Sequence, residues 1–352
     1  MSIVKNFIVN GKPVDIKPHG NGHINNTYLV TTDTGKKYIL QKVSDAFEIH
    51  NLMKNIDAVT SFMALKADNP ERQMQLIHTI NNENFYSDEN GNYRMFNFVD
   101  NSICLDAPES TEDFYEAAVS FGKFQKLLED FPAKTLTEPI KNFHNTPDRY
   151  RIFKETLAAD KTDRVKLVKE EIEFALDREE EAGILQSMRD SGKLPVRVTH
   201  NDTKLNNVLF DRNTRKSLCV IDLDTVMPGL SLYDFGDAIR FGAATAKEDE
   251  KDLSKMTVDL DMFRAFTRGY INSCNLSKEE INCLVLGAKT MTLECGVRFL
   301  TDYLDGDNYF KTSYEGQNLD RCRTQFKLVS EMEKHKDELE NIVREEALRL
   351  NR

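Results

Sequence analysis

Between residues 196 and 224 the sequence changes character several times within a short span, and few folds accommodate the pattern. Val196 to Thr199 is a β-branched run that reads as a strand. His200 to Asn207 is polar and cannot continue it, and Val208-Leu209-Phe210 forms a second strand. Asp211 to Lys216 has turn chemistry, and Leu218 to Ile221 is a third strand that Asp222 stops. Pairing the last two strands as a hairpin centred between Thr214 and Arg215 sets Val208 opposite Ile221, Leu209 opposite Val220 and Asn207 opposite Asp222. Opposed residues lie roughly 4.5–5.5 Å apart, so a carboxamide and a carboxylate leave one end of the hairpin together. Hard oxygen donors converging in this way suit Mg²⁺, which keeps waters and takes few protein groups. Asp202 sits five residues before Asn207, in the loop that feeds the hairpin.

His200, Asp202 and Asn207 follow the His-x-Asp-x-x-x-x-Asn order of a kinase catalytic loop, with Asp222 as the later metal-binding carboxylate. In that pattern the first Asp receives or orients the proton of an attacking hydroxyl, while Asn and the second Asp hold Mg²⁺ on nucleotide phosphates. The bland alternative is a polar loop using Asp and Asn as turn formers. Order, spacing and flanking strands together favour the catalytic reading. Asp224 stays open between a second metal ligand and a loop carboxylate. Asp234-Phe235-Gly236 spells the kinase metal-binding tripeptide, but Asp222 already fills that position opposite Asn207. Asp234 and Asp237 are expected to cap the helix through Ile239 and to bond the catalytic-loop backbone.

The chain has 352 residues, enough for two lobes, and its 40% hydrophobic and 30% charged content is that of globular material. A net charge of −11 argues against nucleic acid or an anionic membrane as the main partner. The six cysteines show neither Cys-x-x-Cys spacing nor His pairing, which reads as free thiols in a reducing cytoplasm. The N-terminus lacks the apolar core of a signal peptide, and no run reaches the length of a membrane span.

The first hundred residues read as strands around one helix. Phe7 to Pro13 looks like a strand and turn. Gly20-Asn21-Gly22 precedes a strand through Thr27 to Val30, and Tyr38 to Val43 is the next. Glycines between strands let backbone N–H groups approach phosphate, although Asn25 stands where a third glycine would complete the fingerprint. Gly20 and Gly22 are thus candidate nucleotide contacts, and Lys42 a candidate phosphate-pairing lysine. Strand alternation puts Gln41 and Lys42 on opposite faces, so either one faces the nucleotide. Ala46 to Leu65 reads as a helix, with Glu48 as its only glutamate and that at the very start. Met74 to Ile80, Asn84 to Ser87 and Tyr93 to Val99 read as further strands, followed by a hinge at Asp100-Asn101-Ser102.

Helices dominate from Thr111 onward. One runs through Phe114, Phe121 and Leu128. Another follows Pro147, and a long charged one spans residues 165 to 189. Helices are read over Phe263 to Asn272 and Ser277 to Thr301, the latter opened by a Ser277/Glu280 capping box, and over Arg321 to Leu350. His144 has a substrate contact and a capping or surface role as competing readings. Beyond the 277–301 helix, Asp302 to Phe310 is dense in polar and aromatic residues, a candidate polyol-binding wall.

Taken together, Gly20 to Asn25, Tyr38 to Lys42, Asn51 to Ile56, Phe121 to Gln125, His200 to Asn207 and Val220 to Asp224 resemble the aminoglycoside phosphotransferase superfamily of small-molecule kinases. Within it the chain looks like the N-acetylhexosamine 1-kinases. The resemblance implies an α+β, bilobal, protein-kinase-like fold, with an antiparallel-sheet lobe over residues 1–100 and a mainly helical lobe over 101–352. It implies ATP and Mg²⁺ as cofactors and the anomeric hydroxyl of an N-acetylhexosamine as acceptor. Asp202 is then the base, Asn207 and Asp222 the metal ligands, and His23, Arg298 and Tyr309 the sugar contacts. A kinase of another small alcohol, of aminoglycoside, choline or homoserine type, fits the same motif. A nucleotide- or partner-binding chain without catalysis is disfavoured by the intact Asp202, Asn207 and Asp222.

Overall fold

The computed structural model describes residues 2–20 and 25–350. Gly22 and His23 therefore lie outside the described residues. An antiparallel sheet of order β1-β2-β3-β5-β4 is built from β1 (Pro13–Pro18), β2 (Asn26–Thr32), β3 (Lys37–Val43), β4 (Tyr86–Asp88) and β5 (Gly91–Asn97). Helix α1 (Ile49–Lys66) follows β3, and its N-terminus is capped by Glu48, whose carboxylate accepts the N–H groups of His50 and Asn51. Two faces of β3 serve two cores. Tyr38 and Leu40 pack with Val4, Phe7, Tyr93 and Met95, whereas Ile39 and Val43 join the larger core containing α1.

The chain then leaves the sheet. Short strand β6 (Ser102–Ile103) already pairs with β8 (Val208–Asp211), which pairs with β9 (Ser217–Val220). A separate ribbon joins β7 (Arg197–Thr199) to β10 (Met227–Gly229). Around these ribbons pack α2 (Thr111–Leu127), α3 (Thr146–Ala159), α4 (Lys169–Leu176), α5 (Glu179–Ala182), α6 (Ile184–Asp190), α7 (Ser231–Gly242), α8 (Leu260–Ser273), α9 (Lys278–Asn282), α10 (Leu284–Asp305), α11 (Gln317–Lys334) and α12 (Lys336–Leu348). Ser110 caps α2, Asp259 caps α8, and Ser277 with Glu280 forms the anticipated capping box on α9.

Several elements differ from the sequence expectation. The charged stretch 165–189 is not one helix but α4, α5 and α6 after a single 3₁₀ turn, with Gly183 at the last break. Helix-forming composition there is overridden by packing: Arg178, between α4 and α5, turns its guanidinium onto Glu333 of α11 at 2.8 and 2.9 Å. The stretches 277–301 and 321–350 are likewise broken, at Cys283 and His335. Residues 74–80 form only isolated bridges, Leu76 to Phe96 and Thr79 to Phe7, so the expected strands there and at Phe7 are absent from the sheet. Their ladder is shortened because the Asn97 side chain takes the Gln75 N–H at 2.7 Å and donates to the Gln73 carbonyl.

The hairpin register also shifts. Val208 faces Val220 and Leu209 faces Cys219, with an irregularity before Phe210 faces Ser217. The cause lies in the turn. Asp211 Oδ1 accepts the N–H groups of both Asn213 and Thr214, and Arg215 takes a left-handed φ of 55°, which gives a longer loop than a two-residue turn. Asn207 consequently stands opposite Ile221, whose N–H it accepts at 2.9 Å. Asp222 lies one residue beyond the ladder at φ 61°.

Candidate active site

The loop between β7 and β8 is held from below by helix α7. Asp234 accepts the N–H of His200 at 3.0 Å and of Asn201 at 2.8 Å, and Asp237 accepts the N–H of Thr203 at 2.9 Å. Asp234 is wholly buried, and the cap of α7 is not made by it: Leu230 occupies that position without a side-chain bond. The tripeptide 234–236 thus serves as a backbone clamp. His200 carries the loop across to the next element, its Nε2 meeting the Ile221 carbonyl at 2.8 Å. Asn201 is left-handed at φ 63° and its amide donates to the carbonyls of Thr199 and Thr225. A non-glycine residue in this region is held there only when its surroundings over-determine it.

Asp202 emerges from this clamp with its side chain 28% exposed. Asn207 Nδ2 donates to its Oδ2 at 3.0 Å and to its carbonyl at 2.8 Å, and Lys204 Nζ pairs with its Oδ1 at 2.9 Å. Burial works to lower the Lys204 ammonium, but the carboxylates of Asp202 and Asp237 outweigh it and hold that group above its usual value. Burial pushes the Asp222 carboxyl up to about 6, with repulsion from Asp224 and Asp202 adding to it against the pull of Arg94 and His200. Asn207 thus touches Asp202 by its side chain and, by its carbonyl, the Ile221 N–H next to Asp222.

Crowded carboxylates beside a free carboxamide oxygen make a donor set for a divalent cation. Among the described residues no three His, Cys, Asp or Glu side chains gather tightly enough to bind a metal alone. Asp224 is otherwise engaged: Oδ1 pairs with Arg94 Nη1 at 2.5 Å and Oδ2 accepts Asn25 Nδ2 at 2.7 Å.

Lys42 is not part of this cluster. It shares the face of Tyr38 and Leu40, its stem runs so close to Gly91 that a Cβ there would lie 2.8 Å from its Cε, and it points away from Asp222. Gln41 takes the inward position. From the sheet, Arg94 reaches the site, directly across the ladder from Gln41 and 1% exposed. Sequence reasoning missed it, since an arginine in the middle of an apolar strand carries no motif; its isolation between Tyr93 and Met95 was the only signal.

A second group missed in the sequence is the buried Glu294–His144 pair. Glu294 of α10 takes His144 Nδ1 at 2.9 Å and the Thr146 hydroxyl at 2.6 Å, and His144 Nε2 meets the Asn201 carbonyl at 3.3 Å. One helical turn farther along α10 is Arg298, its guanidinium 5.4 Å from the ring centres of Phe143 and Phe310 and 5.9 Å from that of Tyr309. Tyr309 itself is 67% exposed. Arg298, Tyr309 and Arg149 help to line a cavity of about 480 Å³. Burial and the adjacent Arg298 both lower Arg149 from its usual value. The carboxylates of this cavity are committed elsewhere. Asp302 accepts the N–H groups of Asn308, Tyr309 and Phe310, Asp305 pairs with Lys161, and Glu155 pairs with Arg151.

Comparison with known proteins bears on the family and the fold. The model of a phosphotransferase enzyme family, APH, matches residues 15–256, more than half of the chain. An aminoglycoside phosphotransferase from Alicyclobacillus acidocaldarius superposes with a TM-score of 0.66 at 12% identity, covering 98% of this chain and 96% of the other. A microcompartment-associated aminopropanol kinase gives 0.62 at 14% identity, covering 96% and 97%. An amicoumacin kinase, in complex with AMP-PNP and Ca²⁺, gives 0.56 at 12% identity, covering 90% and 89%. At these identities the structural likeness speaks for the fold, which is the α+β, protein-kinase-like one with a sheet-based first part and a helical second part. With the family model spanning both the sheet and the catalytic loop, the chain belongs to the phosphotransferase enzyme family APH.

Proposed function

We propose that the protein is an ATP- and Mg²⁺-dependent small-molecule kinase that phosphorylates the anomeric hydroxyl of N-acetylhexosamines, an N-acetylhexosamine 1-kinase. The observation that carries the acceptor class is the pair of guanidiniums, Arg149 and Arg298, facing a cavity whose carboxylates are already paired. A cationic acceptor such as choline or an aminoglycoside would meet two like charges and no free carboxylate there. A neutral sugar with hydroxyl and acetamido oxygens finds guanidinium donors and the rings of Tyr309 and Phe310.

Asn207 and Asp222 are the residues that would hold the metal. When bound, Mg²⁺ neutralises charge on the nucleotide phosphates. Asp202 orients the sugar hydroxyl and accepts its proton as the oxygen–phosphorus bond forms and the bond from the γ-phosphorus to the bridging oxygen breaks. An anomeric hydroxyl is more acidic than other sugar hydroxyls, so a carboxylate in the ordinary range suffices late in transfer. The connection from Glu294 through His144 to the Asn201 carbonyl ties the cavity wall to the loop that carries Asp202. A solvent-accessible Lys204 beside Asp202 offers a further cation to the transferring group.

Fold relatives named for aminopropanol, amicoumacin and aminoglycoside substrates support a second reading, a kinase of another small alcohol. A panel of N-acetylglucosamine, N-acetylgalactosamine, choline, homoserine and an aminoglycoside with MgATP separates the two. The first reading expects ADP release with the hexosamines alone. Turnover confined to a cationic acceptor would replace it with the second.

A further inference from the structure

Nucleotide phosphates bound against Asp222 bring several negative charges to a place that already holds Asp202, Asp222 and Asp224, and a metal ion alone does not balance them. Lys204 lies on the Asp202 side of the site, so a cation facing the phosphates from the opposite side has to come from the sheet. Lys42 cannot, because β3 turns it to the opposite face. We propose that Arg94, on β5, is the phosphate-binding cation of this protein, with the inward Gln41 of β3 as its positioning residue. This rests on the reading that a nucleotide binds between the sheet and the Asp222 loop.

Arg94 is built into place from three directions. Its Nε donates to Gln41 Oε1 at 2.9 Å, and Gln41 in turn donates from Nε2 to Thr27 Oγ1 at 3.1 Å. Its Nη1 pairs with Asp224, two residues after Asp222. Asp224 is fixed on its other oxygen by Asn25, whose Oδ1 accepts the Ser44 N–H at 3.0 Å. Arg94 Nη2 donates no hydrogen bond among the described residues. The guanidinium thus lies where the strand that follows the glycine segment meets the metal-side loop. It keeps a donor available beside the loop that carries Asp222 and Asp224. Cross-strand pairing explains the arrangement: Gln41 and Arg94 are directly opposed, so a cation on either one projects to the same side of the sheet.

That symmetry provides the test. Titration calorimetry with ADP and with adenosine, at fixed Mg²⁺, is run on the full chain and on three variants. Arg94→Met removes the cation. Arg94→Met/Asp224→Asn removes it together with its buried partner, so that no unpaired carboxylate opposes folding. Gln41→Lys/Arg94→Met restores a cation from the neighbouring strand. The inference expects ADP to bind about tenfold or more weakly to the first two variants. Adenosine affinity should stay within about twofold, and Gln41→Lys/Arg94→Met should regain most of the ADP affinity. It is overturned if the folded Arg94→Met/Asp224→Asn protein binds ADP as the parent does, if ADP and adenosine weaken together, or if a folded Gln41→Lys/Arg94→Met protein recovers no ADP affinity. Failure of the parent chain to bind ADP at all is a different result, and removes the nucleotide reading itself.

Discussion

Asp202, Asn207 and Asp222 were legible because their meeting is a local matter. All three lie within 21 residues of one another, at the ends of a hairpin whose strands and turn are written in β-branched and turn-forming residues. Arg94 and Glu294 were not legible, because each acquires its meaning from a contact across the chain: Arg94 and Asp224 are 130 residues apart, Glu294 and His144 150. Alternation along β3 narrowed the choice to Gln41 or Lys42, but which face is inward depends on what the sheet packs against. Two outcomes belong to this scale. Asp202→Asn should reduce turnover by roughly 10²–10⁴-fold, the usual worth of a positioned proton acceptor, while leaving ADP affinity and the melting temperature near those of the parent; stopped assays paired with calorimetry would check it. Lys42→Ala should leave ADP affinity within about twofold, since the side chain lies on the far face of the sheet; a large loss would return the phosphate role to Lys42.

At the level of elements, α7 does the most to set the site, and its close seat on α10 is what makes the clamp rigid. Gly236 of α7 faces Gly287 of α10, and a Cβ at 236 would run into the Gly287 carbonyl and lie 2.7 Å from Met291 Cγ. Gly236→Ala should therefore destabilise the protein by about 1–3 kcal/mol. It should also slow turnover, because Asp234 and Asp237 hang from the same helix. Denaturant unfolding with steady-state rates measures both, and an unchanged midpoint would contradict the close packing. Helix caps were readable, since Ser110, Asp259 and Ser277 act within one turn of their own positions. The breaks at Gly183, Cys283 and His335 were not, because periodicity continues through them and the interruption is imposed by packing on neighbouring helices.

Across the whole molecule, two buried or half-buried ion pairs tie distant segments, Arg197 to Glu280 and Arg215 to Asp113, and a third, Arg240 to Asp237, lies within α7. All three carboxyls are held below their usual range. For Asp237, burial opposes the shift and is overcome by Arg240 and Lys204, which bring it to about 2. For Glu280, burial is likewise overcome by Arg197, and for Asp113 the Arg215 hydrogen bond dominates. A folded-state value below the unfolded one means that the stabilisation is complete above the unfolded carboxylate range of roughly 4 and is lost as pH falls below it toward about 2. The contribution of these pairs, read as the difference in urea midpoint between the parent and Arg215→Met, should therefore be constant from about pH 7 to 5 and shrink below about 4. Arg215→Met should start less stable and lose less over the acid limb. The coarse plan of a sheet-based first part and a helical second part was readable from strand and helix periodicity. The way Asn25 and Arg94 of the first part both close on Asp224 of the second was not.

The central claim is that this cluster of oxygens transfers a phosphoryl group to a sugar's anomeric oxygen. Phosphorus NMR of the reaction with MgATP and N-acetylglucosamine or N-acetylgalactosamine, run side by side with the parent chain and Asp202→Asn, tests it most directly. The expected result is a sugar 1-phosphate resonance coupled to the anomeric proton, growing as ATP is consumed and growing about 10²-fold or more slowly with the variant. A phosphate on any other oxygen, or equal product from both proteins, would contradict it.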